Sequence, residues 1–477
     1  MALPTLFREL GATTSQLQWV VDAYTLVFAG LLLAAGSLGD RFGRKGTLIT
    51  GMALFGLFSG SAALADSPGQ LIAMRAAMGI GAALIFPATL AILVSVFRNP
   101  SERAKAIGIW AATSGLAVAL GPVSGGWLLE HFYWGSVFFV NVPVVIVAII
   151  AIVFVVPTSR DSNVQRFDPL GLLLSIAGIG LLVFTVIEAP DWGWGSRGAI
   201  SGFVAALVLL TAFIAWERRS AHPMLDVGVF ANARFTAASL AVTFAFFALF
   251  GFIFMVTQYF QFVRGYGTLE AGVRTVPFAL FTGTAAPLAA KFAGRFGTKA
   301  IVAAGLVAMS IGFSISATLA ADSNYWIVVV SMAFMGGGLG LVNAPATESI
   351  MGSLPPDKAG VGSAVNDTTR ELGGTLGVAI VGSLFSSVYG SKLATLLTGS
   401  DVPPAALAEA KKSVGAAAEV ARQATASAGP AAGRAVQGAI NTAFMDGFHA
   451  GSFVSAAVVL LGAVLAFVFL PARAGHA

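Results

Sequence analysis

From residue 17 to residue 470 the chain is a succession of apolar stretches, each about twenty residues long and parted by short polar breaks, with one long interruption at 389–448. A segment of that length crosses the hydrocarbon core as a helix, the form that satisfies its own backbone hydrogen bonds where water is absent. The short period-two strands of a membrane barrel are missing. The stretches fall at 17–38, 47–65, 70–97, 106–128, 136–157, 169–189, 198–216, 235–263, 271–290, 300–320, 325–351, 361–388 and 449–470, about thirteen visible spans. Of 477 residues, 57% are hydrophobic and only 10% charged, too little polar side chain to clothe a soluble globule of this size. The expected fold class is an all-α polytopic membrane protein in a lipid bilayer.

The net charge of +5 does not point to nucleic acid, because the cations sit in alternate loops rather than on one soluble face. They group at Arg41/Arg44/Lys45, Arg98/Arg103/Lys105, Arg160/Arg166, Arg218/Arg219/Arg234, Lys291/Arg295/Lys299 and Lys358. Positive charge of this kind reports topology and puts those loops, and with them the C-terminus, on the cytoplasmic side. The same assignment leaves 1–16 outside with no signal sequence or preceding helix, so a further span is expected upstream of Ala2, fourteen in all. There is no cysteine, and the four histidines are scattered, so neither a disulfide nor a metal centre is expected. The loops hold no nucleophile–base constellation and no Gly-x-x-x-x-Gly-Lys-Ser/Thr phosphate loop, which argues against an enzyme and against a self-contained ATP-driven pump. Nothing in the sequence sets an oligomeric state.

Gly36, Gly39 and Gly43 punctuate the junction of the first two visible spans, with Asp40 beside Arg41 and Arg44. The glycines let helix ends approach, and the carboxylate can bind guanidinium groups or the positive end of a neighbouring helix, so the junction reads as a hinge. A plain basic membrane loop accounts for Arg41, Arg44 and Lys45 but not for the ordered glycines and acid. The hinge is echoed at Gly294-Arg295-Phe296-Gly297-Thr298-Lys299, with Gly294 where Asp40 stands in the first copy. Two related helical halves follow, 1–157 and 235–477, separated at 158–234 by two inserted spans and a cytoplasmic linker. The interruption at 389–448 is rich in alanine and glycine and reads as an external helical hairpin turning near Gly429-Pro430, with a flexible linker as the alternative.

The hinge, position by position, resembles the loop motif of the major facilitator superfamily, and further segments resemble its fourteen-span drug:H⁺ antiporter family. Leu71 to Gly79 is similar to the family's intramembrane arginine motif, with Met78 where a glutamine is common. Ala117 to Gly126, containing Gly121, Pro122 and Gly125, resembles the antiporter motif, with Ala117 in place of its first glycine. Leu17 to Tyr24, Gln258 to Gln261 and Gly362 to Gly373 are similar as well. The family's first span ends in a sequence like Ala2 to Thr5 and carries an acid upstream that this chain does not contain. The resemblance implies a major facilitator fold in a bacterial cytoplasmic membrane. It also implies a transporter without cofactors, driven by the proton gradient, that exchanges small hydrophobic or cationic compounds for protons. Export of an endogenous lipid, siderophore or biosynthetic product, or a non-transporting truncated paralogue, are the alternatives.

Ionisable residues inside apolar spans are costly unless they face a cavity or a partner, which singles out Asp22, Arg75, Glu348, Asp367, Arg370 and Glu371 for proton coupling or cation recognition. Burial and a neighbouring arginine act oppositely on a carboxylate's proton affinity, so such groups can be poised between the two sides of a membrane. Asp22, flanked by Trp19 and Tyr24, reads as a coupling acid or as an interfacial acid that merely snorkels. The resemblance implies that Arg75 influences an acid of the first span; a structural arginine bonded to backbone carbonyls is the other reading. Asp367 and Glu371 are i,i+4 and Arg370 is i,i+3 from Asp367, so the three share a helix face, as an exchanging cluster or a static polar lock. Glu348 suits a gate or a helix-end contact. Ala117, Gly121 and Gly125 recur every fourth residue, permitting close helix contact, while Pro122 removes a helical hydrogen bond. Phe86, Gln258, Tyr259 and Gln261, with Trp19 and Tyr24, are the candidates for a substrate cavity.

Overall fold

A computed structural model describes residues 2–97, 102, 106, 117, 120–158, 168–220, 223, 225, 227–354, 359–400 and 402–471. Among the described residues there is no strand, and ten helices are long and apolar enough to cross a membrane. The first half holds α1 (Leu3–Leu10), α2 (Thr14–Phe42), α3 (Arg44–Ala63), α4 (Pro68–Val96), α5 (Ser136–Phe139) and α6 (Asn141–Val155). The two spans expected as an insertion are α7 (Pro169–Trp192) and α8 (Arg197–Glu217). The second half holds α9 (Ala233–Gln258), continued by a π turn at Tyr259–Val263, then α10 (Thr268–Val273), α11 (Val276–Phe296), α12 (Thr298–Ser316), α13 (Tyr325–Met351) and α14 (Ala359–Leu396). It ends with α15 (Pro404–Lys412), α16 (Val414–Ala428) and α17 (Pro430–Phe469). Most of the span expected at 106–128 lies outside the described residues, of which 120–131 are helical.

The helices begin where side chains can take up otherwise unbonded first-turn N–H groups. Thr13 and Gln16 form a reciprocal capping box at α2, and Ser67, Asp168, Ser196, Asn232 and Asn324 cap α4, α7, α8, α9 and α13. Two expected boundaries shift. The helix expected to end near 388 runs on to Leu396, and the one expected from 449 begins at Pro430, just past Gly429 at φ 88°. Alanine, the best helix former, recurs from Ala431 to Ala443 and carries α17 beyond its apolar part. The span expected at 271–290 is divided instead, with α10 and α11 parted at Arg274-Thr275.

The hinge is tighter than a loop. α2 continues through Phe42 and α3 starts at Arg44, so one residue, Gly43 at φ 104°, makes the break. Gly297, at φ 88°, does the same between α11 and α12. These are backbone conformations that a Cβ disfavours, which explains why both copies keep glycine there. The likeness extends along the next helix. A Cβ on Gly81 of α4 would stand 2.8 Å from the Gly51 carbonyl of α3, and one on Gly338 of α13 would press on the Gly305 carbonyl of α12. Gly51 and Gly305 each follow their hinge glycine by eight residues. The two halves are thus copies of one packing scheme, in which small residues bring helix backbones together where lipid supplies no hydrophobic drive.

α7 and α8 pack on each other, and α7 also touches both α2 and α14. The outward faces of α6 and α8 leave Val147, Phe154, Leu207 and Val208 more than half exposed, as a lipid-facing surface requires.

Replacing Gly338 by alanine should overpack α12 against α13 and destabilise the fold by about 1–3 kcal/mol. Gly438→Ala, where nothing lies within 4 Å of the added carbon, should be neutral or stabilising by helix propensity. Thermal unfolding of the purified variants in detergent checks both signs.

Candidate functional site

One face of α2 closes the molecule. Gln18, Asp22 and Thr25 recur at helical spacing and meet α14 across the seam between the halves. The Gln18 amide donates to the carbonyls of Val378 (3.2 Å) and Ala379 (3.1 Å) and to the Ser383 hydroxyl (3.3 Å). The approach is so close that a Cβ on Gly382 would stand 2.5 Å from Gln18 Nε2. Two turns along, the Thr375 hydroxyl donates to that of Thr25 at 2.9 Å. Asp22 lies between these clasps, 0% exposed, and neither carboxylate oxygen accepts a hydrogen bond. An ionised carboxylate held so would cost several kcal/mol, a cost removed by a proton or by opening the seam to water.

The opposite face of α2 carries Val20 and Tyr24, each about half a turn of the helix from Asp22. Arg75 of α4 donates from Nε to the Val20 carbonyl at 2.9 Å and stacks 4.2 Å from the Tyr24 ring centre. Among its described contacts Arg75 therefore serves a backbone carbonyl and an aromatic face, not Asp22. An aromatic row continues from it, Tyr24 to Phe28 at 5.9 Å and Phe28 to Phe86 at 5.9 Å. Tyr24, Arg75 and Phe86 are each half-buried.

On the second half, Arg370 donates to Asn343 Oδ1 (2.7 Å) and Thr347 Oγ1 (3.1 Å) and lies 5.4 Å from the Phe246 ring. Thr347 donates to Asn366, whose amide donates to Asp367 Oδ1 at 3.2 Å. Arg370 and Asp367 are thus joined through Thr347 and Asn366, while Glu371 lies one turn from Thr375 on the seam face, in electrostatic reach of Tyr24. The structure brings Asp367, Arg370 and Glu371 together, as their spacing suggested. Glu348, one residue beyond Thr347, is exposed and stands outside this network.

The remaining candidates are dispersed. Trp19 turns toward the inserted helix, its indole 3.4 Å from Glu188. Tyr259 is 1% exposed, bonded to the Ala320 carbonyl and packed on Phe260 and Phe448, so it belongs to the core of the second half rather than to a cavity wall. Gln258 is buried and donates to its own helix at Phe254, and Gln261 is half-buried in the π turn. In the hinge, Gly36 is helical, Gly39 makes an ordinary contact with Thr47, and Arg44 donates to the Ala91 carbonyl at 3.4 Å; the side chains of Asp40 and Arg41 lie outside the described ones. In the antiporter segment the close contact is not where expected. Ala117 is exposed, and Gly121 and Gly125 have nothing within 4 Å of an added Cβ. Pro122 and Gly126 make the approach instead, against Gly272 and Thr268 of the second half, where the Thr268 hydroxyl donates to the Gly126 carbonyl at 3.0 Å.

Gln18, Thr25 and Thr375 were missed as site residues, as were Asn343 and Thr347. Their signal was available: polar side chains repeating at three or four residues along an otherwise apolar helix mark the face that meets a polar partner.

The sequence profile of the Major Facilitator Superfamily matches residues 1–378. The chain belongs to the major facilitator superfamily. It is 36% identical over 424 residues to the multidrug efflux pump LfrA of Mycolicibacterium smegmatis, covering 88% of this chain and 82% of that protein. It is 34% identical to the methyl viologen resistance protein SmvA of Salmonella typhimurium, covering 99% and 94%. It is 30% identical to the tetracenomycin C resistance and export protein of Streptomyces glaucescens, covering 98% and 87%. Its fold matches, at a TM-score of 0.65 and 18% identity, a bacterial homologue of the human lysosomal transporter Spinster in an inward-facing, unoccupied conformation, over 100% of this chain and 94% of that one. Major facilitator proteins are a transporter family rather than an enzyme class.

Truncating Arg370 to alanine strands Asn343 and leaves Asp367 without its nearest cation. This should cost about 3 kcal/mol, the scale for one member of a buried ionic network, and appear as a lowered melting temperature. Arg370→Lys should recover only part of it, since a lysine lacks the planar fork.

Proposed function

We propose that this chain exports hydrophobic, often cationic, compounds across the cytoplasmic membrane in exchange for protons, its two halves alternating access to a central site. The observation that carries the reading is Asp22, a buried carboxylate with no hydrogen-bond partner at the seam where the halves meet. In a closed seam the neutral acid avoids the cost of an unpaired charge, whereas an open seam lets water receive the ion. Protonation and closure are coupled by that difference.

With the basic loops and the C-terminus on the cytoplasmic side, the clasps of Gln18 and Thr25 shut the external end, and the structure corresponds to the inward-facing state. A proton taken up from outside leaves toward the cytoplasm past the bonded hydroxyls of Thr25 and Thr375, which stand one turn from Asp22 and Glu371 respectively. The substrate surface is the one shared by Tyr24 and Phe86 on the first half and by Phe246, Asp367 and Glu371 on the second. Aromatic faces with carboxylates suit a lipophilic cation. The relatives' names favour the same class, since one is a multidrug efflux pump and another a methyl viologen resistance protein. Each charge moved through 100 mV is worth about 2.3 kcal/mol, so one extra coupled proton changes the attainable gradient by more than tenfold.

In inverted vesicles energised by a pH gradient, ethidium should release protons through the wild-type chain, and Asp22→Asn should reduce that release about a hundredfold or more, the scale for loss of a proton-transfer group. Normal exchange by a well-folded Asp22→Asn protein would remove the acid from the mechanism.

A further inference from the structure

The inserted helix α7 runs antiparallel to α2 along the seam. Glu188 accepts hydrogen bonds from Ser15 (2.9 Å) and from the Trp19 indole (3.4 Å). Further along, a Cβ on Gly180 would lie 3.6 Å from Leu26, and one on Gly30 would lie 2.7 Å from Ile176. As the position on α2 rises from 15 to 30, its neighbour on α7 falls from 188 to 176, which sets Val183 beside Asp22. Val183 is 0% exposed and lies in an apolar cluster with Val186, Ile187 and Ala379, the last from α14 of the second half. At the turn after α7, the Trp194 indole donates to the Ser387 hydroxyl of α14 at 3.1 Å.

We propose that α7 is a working part of the exchanger: Val183 and its apolar neighbours form the third wall of the Asp22 compartment, and Glu188 and Trp194 strap the first and second halves together at the closed end. The role rests on the reading of Asp22 as the proton carrier. The two halves by themselves leave this acid only two walls, α2 with α4 on one side and α14 on the other. The insertion supplies the dry side, which keeps outside water from the acid while the seam is closed and leaves the Thr25–Thr375 hydroxyls as the proton's way out. The charged and titratable groups on the neighbouring helices are set away from this wall. Arg75 and Tyr24 occupy the opposite face of α2, Asp367, Arg370 and Glu371 lie beyond Thr375, and Glu188 sits at the Thr14 end against Ser15 and Trp19.

The test uses the full chain, which has no cysteine of its own, with Ser383→Cys as a probe. Ser383 is 0% exposed and lies beside Gln18 in the seam. Val183→Ser weakens the wall, while Glu188→Leu, which removes the acceptor for Ser15 and Trp19, and Trp194→Phe weaken the strap at the rim and leave the wall intact. Each should speed modification of the introduced thiol by a small thiol reagent, and raise dye-independent proton leak in vesicles, by about fivefold, as loss of one or two hydrogen bonds from one state shifts a two-state population. Unchanged labelling and leak in folded Glu188→Leu and Trp194→Phe proteins would overturn the proposal and leave α7 a scaffold. Adding Asp22→Asn separates the two readings. A leak that vanishes with the acid supports both, whereas faster labelling with a leak indifferent to Asp22→Asn keeps the strap and removes Asp22 as the carrier.

Discussion

Asp22 is a carboxylate placed where neither water nor a donor reaches it, and the surrounding structure follows from the cost of keeping it there. Gln18 and Thr25 draw α14 against the same helix face above and below it. α7 lies along the flank, and Arg75, the one cation on α4 that reaches α2, is turned to the far side and occupied by the Val20 carbonyl and the Tyr24 ring. An arginine facing the acid would have given a permanent ion pair, stable in one state and expensive to break. An acid without a partner is instead sensitive to whether the seam is open.

The halves share a packing scheme but divide the chemistry. Gly43 and Gly297 break the chain in the same way, and each is followed by a glycine-to-glycine contact between the next two helices. Among the described residues the polar groups do not repeat. The first half carries a lone acid and an aromatic row, whereas the second carries Arg370 with Asn343, Thr347, Asn366 and Asp367 in one bonded network. Groups bonded to one another resist rearrangement, while a lone acid invites it. The second half is thereby suited to hold its shape while the first responds.

The helices were legible because hydrophobic length and loop charge are strong, local signals, and several boundaries agree closely, α13 among them. Asp367, Arg370 and Glu371 were legible as one cluster because their spacing lies within a single helix. What sequence could not supply was direction across a helix pair. Arg75 and Asp22 are both intramembrane, and nothing in their spacing says that a rotation of about half a turn separates the surfaces they meet. Contacts between the halves were equally hidden. The small residues after Ala117 signalled a close approach, but whether Gly121 and Gly125 or Pro122 and Gly126 face Thr268 depends on the angle at which two distant segments meet.

The Gln18 clasp has a further property. Its acceptors, the carbonyls of Val378 and Ala379, sit in the interior of α14, where each is already matched to a backbone N–H four residues on. The amide therefore borrows acceptors that do not depend on it. When the seam parts, α14 is left with no orphaned carbonyl, and only the glutamine and the Ser383 hydroxyl need new partners, which arriving water provides. Such a fastening releases without melting either helix it joins, so the gate can cycle many times with its secondary structure intact.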